Sequence, residues 1–157
     1  MSPDEELAIG LLGNVPYGRL ATSMRALPFL VAARHVVSGD GTVVLRLHKG
    51  FGHHESCDGS VVAYGADNLN APCAGFGPAV PLPGGCRARE GAGLWSVQFT
   101  GTAELLRPDA AQLALFGPEP VEVNGEPFDP AYLRLRPHFV SLHTMGFDAS
   151  PEIRQVA

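Results

Sequence analysis

Trp95-Ser96-Val97-Gln98-Phe99-Thr100-Gly101-Thr102-Ala103-Glu104-Leu105 repeats with a period of two. Trp95, Val97, Phe99, Gly101, Ala103 and Leu105 fall on one face, and Ser96, Gln98, Thr100, Thr102 and Glu104 on the other, as in a strand with one buried side. Working outward, further extended segments are expected at Arg19–Thr22, Phe29–Val37, Thr42–Leu47, Gly59–Ala66 and Leu133–His143, all poor in strong helix formers. Gly59–Ala66 is almost continuously apolar, which predicts burial on both faces, and Pro137 predicts an edge, a bulge or an interrupted ladder. Two short helices are expected. Pro3–Asn14 has Ser2 as its cap and Leu7, Leu11 and Leu12 as its buried stripe, and Pro108–Phe116 starts at a proline and stops at Gly117-Pro118. Six strands without long crossover helices predict a mainly β fold, a small antiparallel barrel.

The second and third segments are joined through Asp40-Gly41, a hairpin turn signal. With these as the two central turn residues, Val37 faces Val44, His35 faces Arg46 and Ala33 faces His48. Val36, Val43, Leu45 and Leu47 then form the better core face. A bulge would shift this register.

The chain of 157 residues is long enough for one domain with a real core. Its formal charge of −5, with Lys49 as the one lysine, argues against sequence-independent nucleic-acid binding. No apolar run approaches a membrane span and the first residues are acidic, so a cytoplasmic protein without membrane attachment is expected. Cys57, Cys73 and Cys86 are odd in number and irregular in spacing, which favours reduced thiols over a disulfide framework, although Cys73 and Cys86 flank a Pro/Gly-rich stretch and could pair. Leu69–Leu94 has no periodicity and reads as a long loop.

Phosphate-binding glycine loops, dinucleotide fingerprints, nucleophile elbows and His-Glu-x-x-His are all missing, so any catalysis is expected to rely on a borrowed cofactor. Arg46, His48, Lys49, His53 and His54 form the densest cationic cluster, suited to a phosphate group, with His35 joining if the register holds. A solvated strand end with no ligand accounts for the same residues. His53, His54 and Cys57 lack the tight pairs of a structural zinc site, so no metal is expected. Trp95 is either a large core residue or a contact for a flat ligand.

The strings Gly18-Arg19-Leu20-Ala21-Thr22-Ser23, Pro28-Phe29-Leu30-Val31, Asp40-Gly41-Thr42-Val43-Val44-Leu45-Arg46 and Trp95 to Ala103 occur in an order that resembles the FMN-binding split-barrel proteins of the pyridoxamine 5′-phosphate oxidase-like superfamily. The resemblance runs from about Tyr17 to His143. It implies a six-stranded antiparallel split β-barrel with short flanking helices, a homodimer with FMN at the subunit interface, and flavin-dependent oxidoreductase activity on a small molecule. Carried onto this chain, it points to Thr22, Ser23, Arg46, Leu47, His48, Lys49, His53 and His54 as cofactor contacts, with Trp95 and Gln98 reaching the flavin of the other subunit. Gly52-His53-His54 stands where the family often has an Arg-Lys string. The basic residues that authentic oxidases use on their vitamin substrate are not recognisable, which leaves the substrate open. The deazaflavin F420 in the same groove, flavin or haem held without turnover, and an interaction protein without cofactor are the alternatives.

Overall fold

The computed structural model describes residues 2–50, 52–70 and 94–145. Its main body is a closed antiparallel barrel in the order β1-β2-β3-β8-β5-β4, built from β1 (Tyr17–Met24), β2 (Leu27–Val37), β3 (Val43–His48), β4 (Val61–Asp67), β5 (Leu94–Leu105) and β8 (Pro130–Met145). Among the described residues three helices flank it: α1 (Pro3–Leu12), α2 (His53–Cys57) and α3 (Ala110–Phe116). The two-residue strands β6 (Glu122–Val123) and β7 (Glu126–Pro127) pair separately, as a small hairpin. No helix among the described residues is long and apolar enough to cross a membrane.

The period-two reading of β5 holds along most of its length: Trp95, Val97, Phe99, Gly101 and Ala103 are buried while Gln98 is exposed. Leu20, Leu45, Tyr64, Leu133 and Leu135 fill the barrel with them. Pro137 sits at a bulge. Gly101 pairs with Pro137 and Thr100 with Phe139, so His138 is the extra residue. A one-residue bulge reverses facing, which moves the inward set on β8 from Ala131, Leu133 and Leu135 to Val140 and Leu142. The crossing is tight enough that a Cβ on Gly101 would run into the Arg136 carbonyl.

Three expectations need correction. The β2–β3 register is shifted by one residue: Val37 pairs with Val43, His35 with Leu45 and Arg34 with Arg46. The cause is the loop. Gly41 N–H donates to the Ser38 carbonyl at 2.9 Å, Ser38 N–H to the Thr42 carbonyl at 2.9 Å, and Gly41 has φ +80°. Gly39, Asp40 and Gly41 thus make a three-residue connection whose left-handed glycine absorbs one residue. His35 therefore points inward and leaves the cationic cluster. Its Nε2 lies 2.7 Å from the Leu12 carbonyl at the end of α1, and its Nδ1 lies 2.6 Å from the Tyr64 hydroxyl.

β4 is buried on one face only: Val62, Tyr64 and Ala66 face in and Val61 is exposed. In α1 the buried positions are Ala8 and Leu12, and Leu7 is exposed. The Ser2 cap is present as a capping box with Glu5. α3 begins after Pro108, with Asp109 as its cap and Gln112 closing the box. Cys73, Cys86 and most of Leu69–Leu94 lie outside the described residues.

Candidate functional site

The corrected register places two arginines opposite each other. Arg34 on β2 and Arg46 on β3 are cross-strand partners on the outer face of the barrel. Arg46 is 3% exposed and donates to the carbonyls of Gly117 (3.3 Å) and Pro118 (3.0 Å), with its guanidinium 5.1 Å from the centre of the Phe116 ring. Arg34 donates through Nε to the Phe116 carbonyl at 2.7 Å and through Nη1 to the Pro16 carbonyl at 3.3 Å. Together they cap the C-terminal end of α3, whose last turn has no basic residue of its own.

A count of charge shows what capping leaves over. A helix end carries at most about half a negative charge, against two full positive charges here. Like charges directly opposite in an antiparallel pair repel. Neither arginine is paired with a carboxylate among the described residues. Each guanidinium has five N–H donors and gives two of them to carbonyls. Such an arrangement suits an anion, which would add charge-assisted hydrogen bonds to the N–H groups left over.

Both arginines line a pocket of about 380 Å³ whose other walls come from Tyr17, Leu30, Val31, Ala32, Leu47, His48, His53, Pro120, Val123 and Phe128. The walls are rich in flat groups. Arg34 lies 6.0 Å from the Tyr17 ring centre, His48 and Phe128 stack at 5.6 Å and 26°, and His53 meets Phe29 at 4.8 Å. His48 Nδ1 accepts from the Asp129 amide at 3.1 Å, so the ring carries its proton on Nε2 and is a donor rather than a metal ligand. Apolar strand on one side, planar groups around it and two guanidiniums at one end suit a flat ligand with an anionic tail.

The pocket brings together four of the sequence-derived candidates: Arg46, Leu47, His48 and His53. The others lie elsewhere. Thr22 is buried beside Cys57, whose thiol is pushed up by burial and held back in part by a hydrogen bond with Thr22. Ser23 is exposed at the end of β1. Lys49 pairs with Asp129 at 3.4 Å. His54 is close to Glu55, at 3.9 Å. Trp95 is in the barrel core, its amide donating to Asn68 Oδ1 at 2.7 Å. Gln98 lines a shallower groove on the outer face of β1, β4 and β5 with Arg19, Asp67 and Leu30. Among the described residues no three of His, Cys, Asp and Glu come together as a metal site requires.

Sequence reasoning missed Arg34, Tyr17 and Phe128. Arg34 was hidden by the register, since the adjacent His35 took its place. Phe128 arrives on the β6–β7 hairpin, which turns at Asn124-Gly125 with φ of +53° and +80°. Asn-Gly between short extended runs is the strongest local hairpin signal, and it was available in the sequence.

The chain matches the family model described as pyridoxamine 5′-phosphate oxidase over residues 4–144. Among solved structures it is similar to the FAD binding protein from Mycobacterium smegmatis, with 20% identity, 94% of this chain and 98% of that one covered, and a TM-score of 0.58. It is also similar to a heme binding protein from Mycobacterium smegmatis, with 15% identity, 92% and 59% covered, and a TM-score of 0.54. At these identities the likeness is one of fold: the six-stranded split barrel. No curated protein matches the chain.

Proposed function

Because the chain belongs to the pyridoxamine 5′-phosphate oxidase family, we propose that it binds FMN in the pocket beneath β2 and β3 and acts as a flavin-dependent oxidoreductase on a small molecule. The observation that carries this reading is the Arg34–Arg46 pair: two arginines stand opposite each other in a pocket wall, and neither is ion-paired with a carboxylate among the described residues. A phosphate monoester supplies the missing charge through charge-assisted hydrogen bonds. Leu30, Val31, Ala32 and Leu47 offer the apolar surface a ring system needs, and His48, through Nε2–H, offers a donor. Bound FMN supplies hydride transfer, and the protein supplies orientation and charge.

The functional unit is a homodimer in this reading. The outer face of the barrel carries a row in register across five strands, Leu30, Ala21, Ala63, Thr100 and Phe139. Its ends are Leu30 at 72% and Phe139 at 73% exposure. Leu30 also lines the pocket, so a partner covering this row would close the site.

Titration of the purified protein with FMN, riboflavin, FAD, F420 and haemin, followed by flavin fluorescence and absorption, tests the proposal. FMN should bind at least about tenfold more tightly than riboflavin, since one charged hydrogen bond contributes roughly 1.5–3 kcal/mol. Equal affinities for the two would remove the phosphate from the argument. A preference for F420 or haemin over FMN would replace the ligand.

A further inference from the structure

The residues proposed to face an anion are also the residues that hold the β6–β7 hairpin. Residues 117–129 leave the barrel after α3 and return at β8, contributing Pro120, Val123 and Phe128 to the pocket. At the outgoing end Arg34 holds the Phe116 carbonyl and Arg46 holds those of Gly117 and Pro118. At the returning end His48 accepts from the Asp129 amide and stacks on Phe128. Further tethers lie outside the pocket lining: the Lys49 amide donates to the Asp129 carbonyl at 2.9 Å, its ammonium pairs with the Asp129 carboxylate at 3.4 Å, and the Tyr132 hydroxyl donates to Glu119 at 3.1 Å.

From this shared use we infer that the 117–129 hairpin is a ligand-sensing wall, tightened when a phosphate docks between Arg34 and Arg46. The inference rests on the anion reading of the site. Without an anion, each guanidinium approaches the carbonyls at the end of α3 against the repulsion of the other. A bound phosphate supplies negative charge to both, using N–H groups the carbonyls leave over, and lowers the cost of keeping both arms in place. Coupling of this kind is reciprocal: whatever the anion contributes to the hairpin, the hairpin contributes to the anion's affinity. A rigid wall would show no such exchange.

Hydrogen exchange by mass spectrometry on the full-length protein separates these cases. Peptides covering 112–129 are compared in buffer, with saturating FMN, with saturating riboflavin and with millimolar inorganic phosphate. FMN should slow exchange there by about 5- to 100-fold, the range of ordinary coupling energies. Phosphate alone should give part of that protection and riboflavin much less. The converse arm uses Tyr132→Phe, which removes the hydroxyl shared between Glu119 and Arg46 and keeps the ring on Phe116: exchange in 112–129 should rise and FMN affinity should fall by about three- to fivefold, while the Tm stays near wild type. FMN that binds tightly without slowing exchange would overturn the wall and leave the binding site standing. Failure of both FMN and phosphate to bind, with no protection from either, would overturn both readings.

Discussion

Replacing Arg46 with alanine should damage stability and FMN affinity together, and the structure sets the scale of each. The guanidinium makes two hydrogen bonds, to the Gly117 and Pro118 carbonyls, and lies 5.1 Å from the Phe116 ring centre. Charged hydrogen bonds are worth about 1.5–3 kcal/mol each and a cation–π contact about 0.5–2 kcal/mol, so the gross loss is several kcal/mol. Two effects reduce it. Gly117 and Pro118 are exposed, so their carbonyls regain water, and a guanidinium buried beside Arg34 carries a desolvation and repulsion cost that disappears with it. A net loss of about 2–4 kcal/mol follows, which for a chain of this size lowers Tm by roughly 5–15 °C. Thermal denaturation followed by circular dichroism reads this directly. In parallel titrations FMN affinity should fall about 10- to 100-fold, and riboflavin affinity only by what the loosened wall costs. Arg46→Lys, which keeps the charge but loses the planar fork, should recover part of the FMN affinity and little of the Tm. An unchanged Tm would refute the brace, and equal losses for FMN and riboflavin would refute the phosphate contact.

At Gly101, alanine should cost several kcal/mol, on the order of other severe overpacking changes, because its Cβ meets the Arg136 carbonyl and the Pro137 backbone; urea denaturation at a reduced midpoint, or loss of soluble protein, is the expected result. His35 is held below its ordinary value of 6.5, first by burial, so the unfolded chain takes up the proton before the folded one. Its contribution to stability is complete above about pH 6.5 and declines as the pH falls, by up to ~1.4 kcal/mol per pH unit, and His35→Gln should flatten that limb of a stability–pH curve measured by urea denaturation. Phe139→Glu, on the exposed row, should shift sedimentation from dimer to monomer without lowering helix or strand content; a wild-type chain that is monomeric at high concentration would remove the two-subunit site.

The fold was legible where one physical rule governed the segment. β5 is half-buried, so alternation marked its residues and its inward face in advance. Pro137 lacks an N–H, and the bulge it announced is where the β8 facing reverses. β4 misled because Val61, Val62 and Ala63 are all apolar, and hydrophobicity alone does not say whether an outer face is covered by its own chain. The exposed Val61 belongs to the same uncovered side as Leu30 and Phe139, where the dimer proposal finds its surface.

The site was legible only as far as the register was. Arg46 and His48 on β3 and His53 on α2 were found because like-charged and imidazole groups cluster visibly in sequence. Arg34 was not, because its role depends on how many residues the 38–42 loop takes up. The signal was present: Gly39-Asp40-Gly41 has a second glycine placed to take a positive φ, and a three-residue loop with that glycine last moves the pairing by one. A strand has two faces, so one residue of register decides whether an arginine or a histidine stands opposite Arg46. With His35 there, the cluster would have held one permanent charge and one that fades as the pH rises, a site whose hold on a phosphate weakens in alkali. With Arg34 there, both charges persist across the physiological range, so FMN affinity measured between about pH 6 and 9 should vary little from this pair. A steep loss of FMN affinity across that range would show that groups other than these two arginines carry the phosphate.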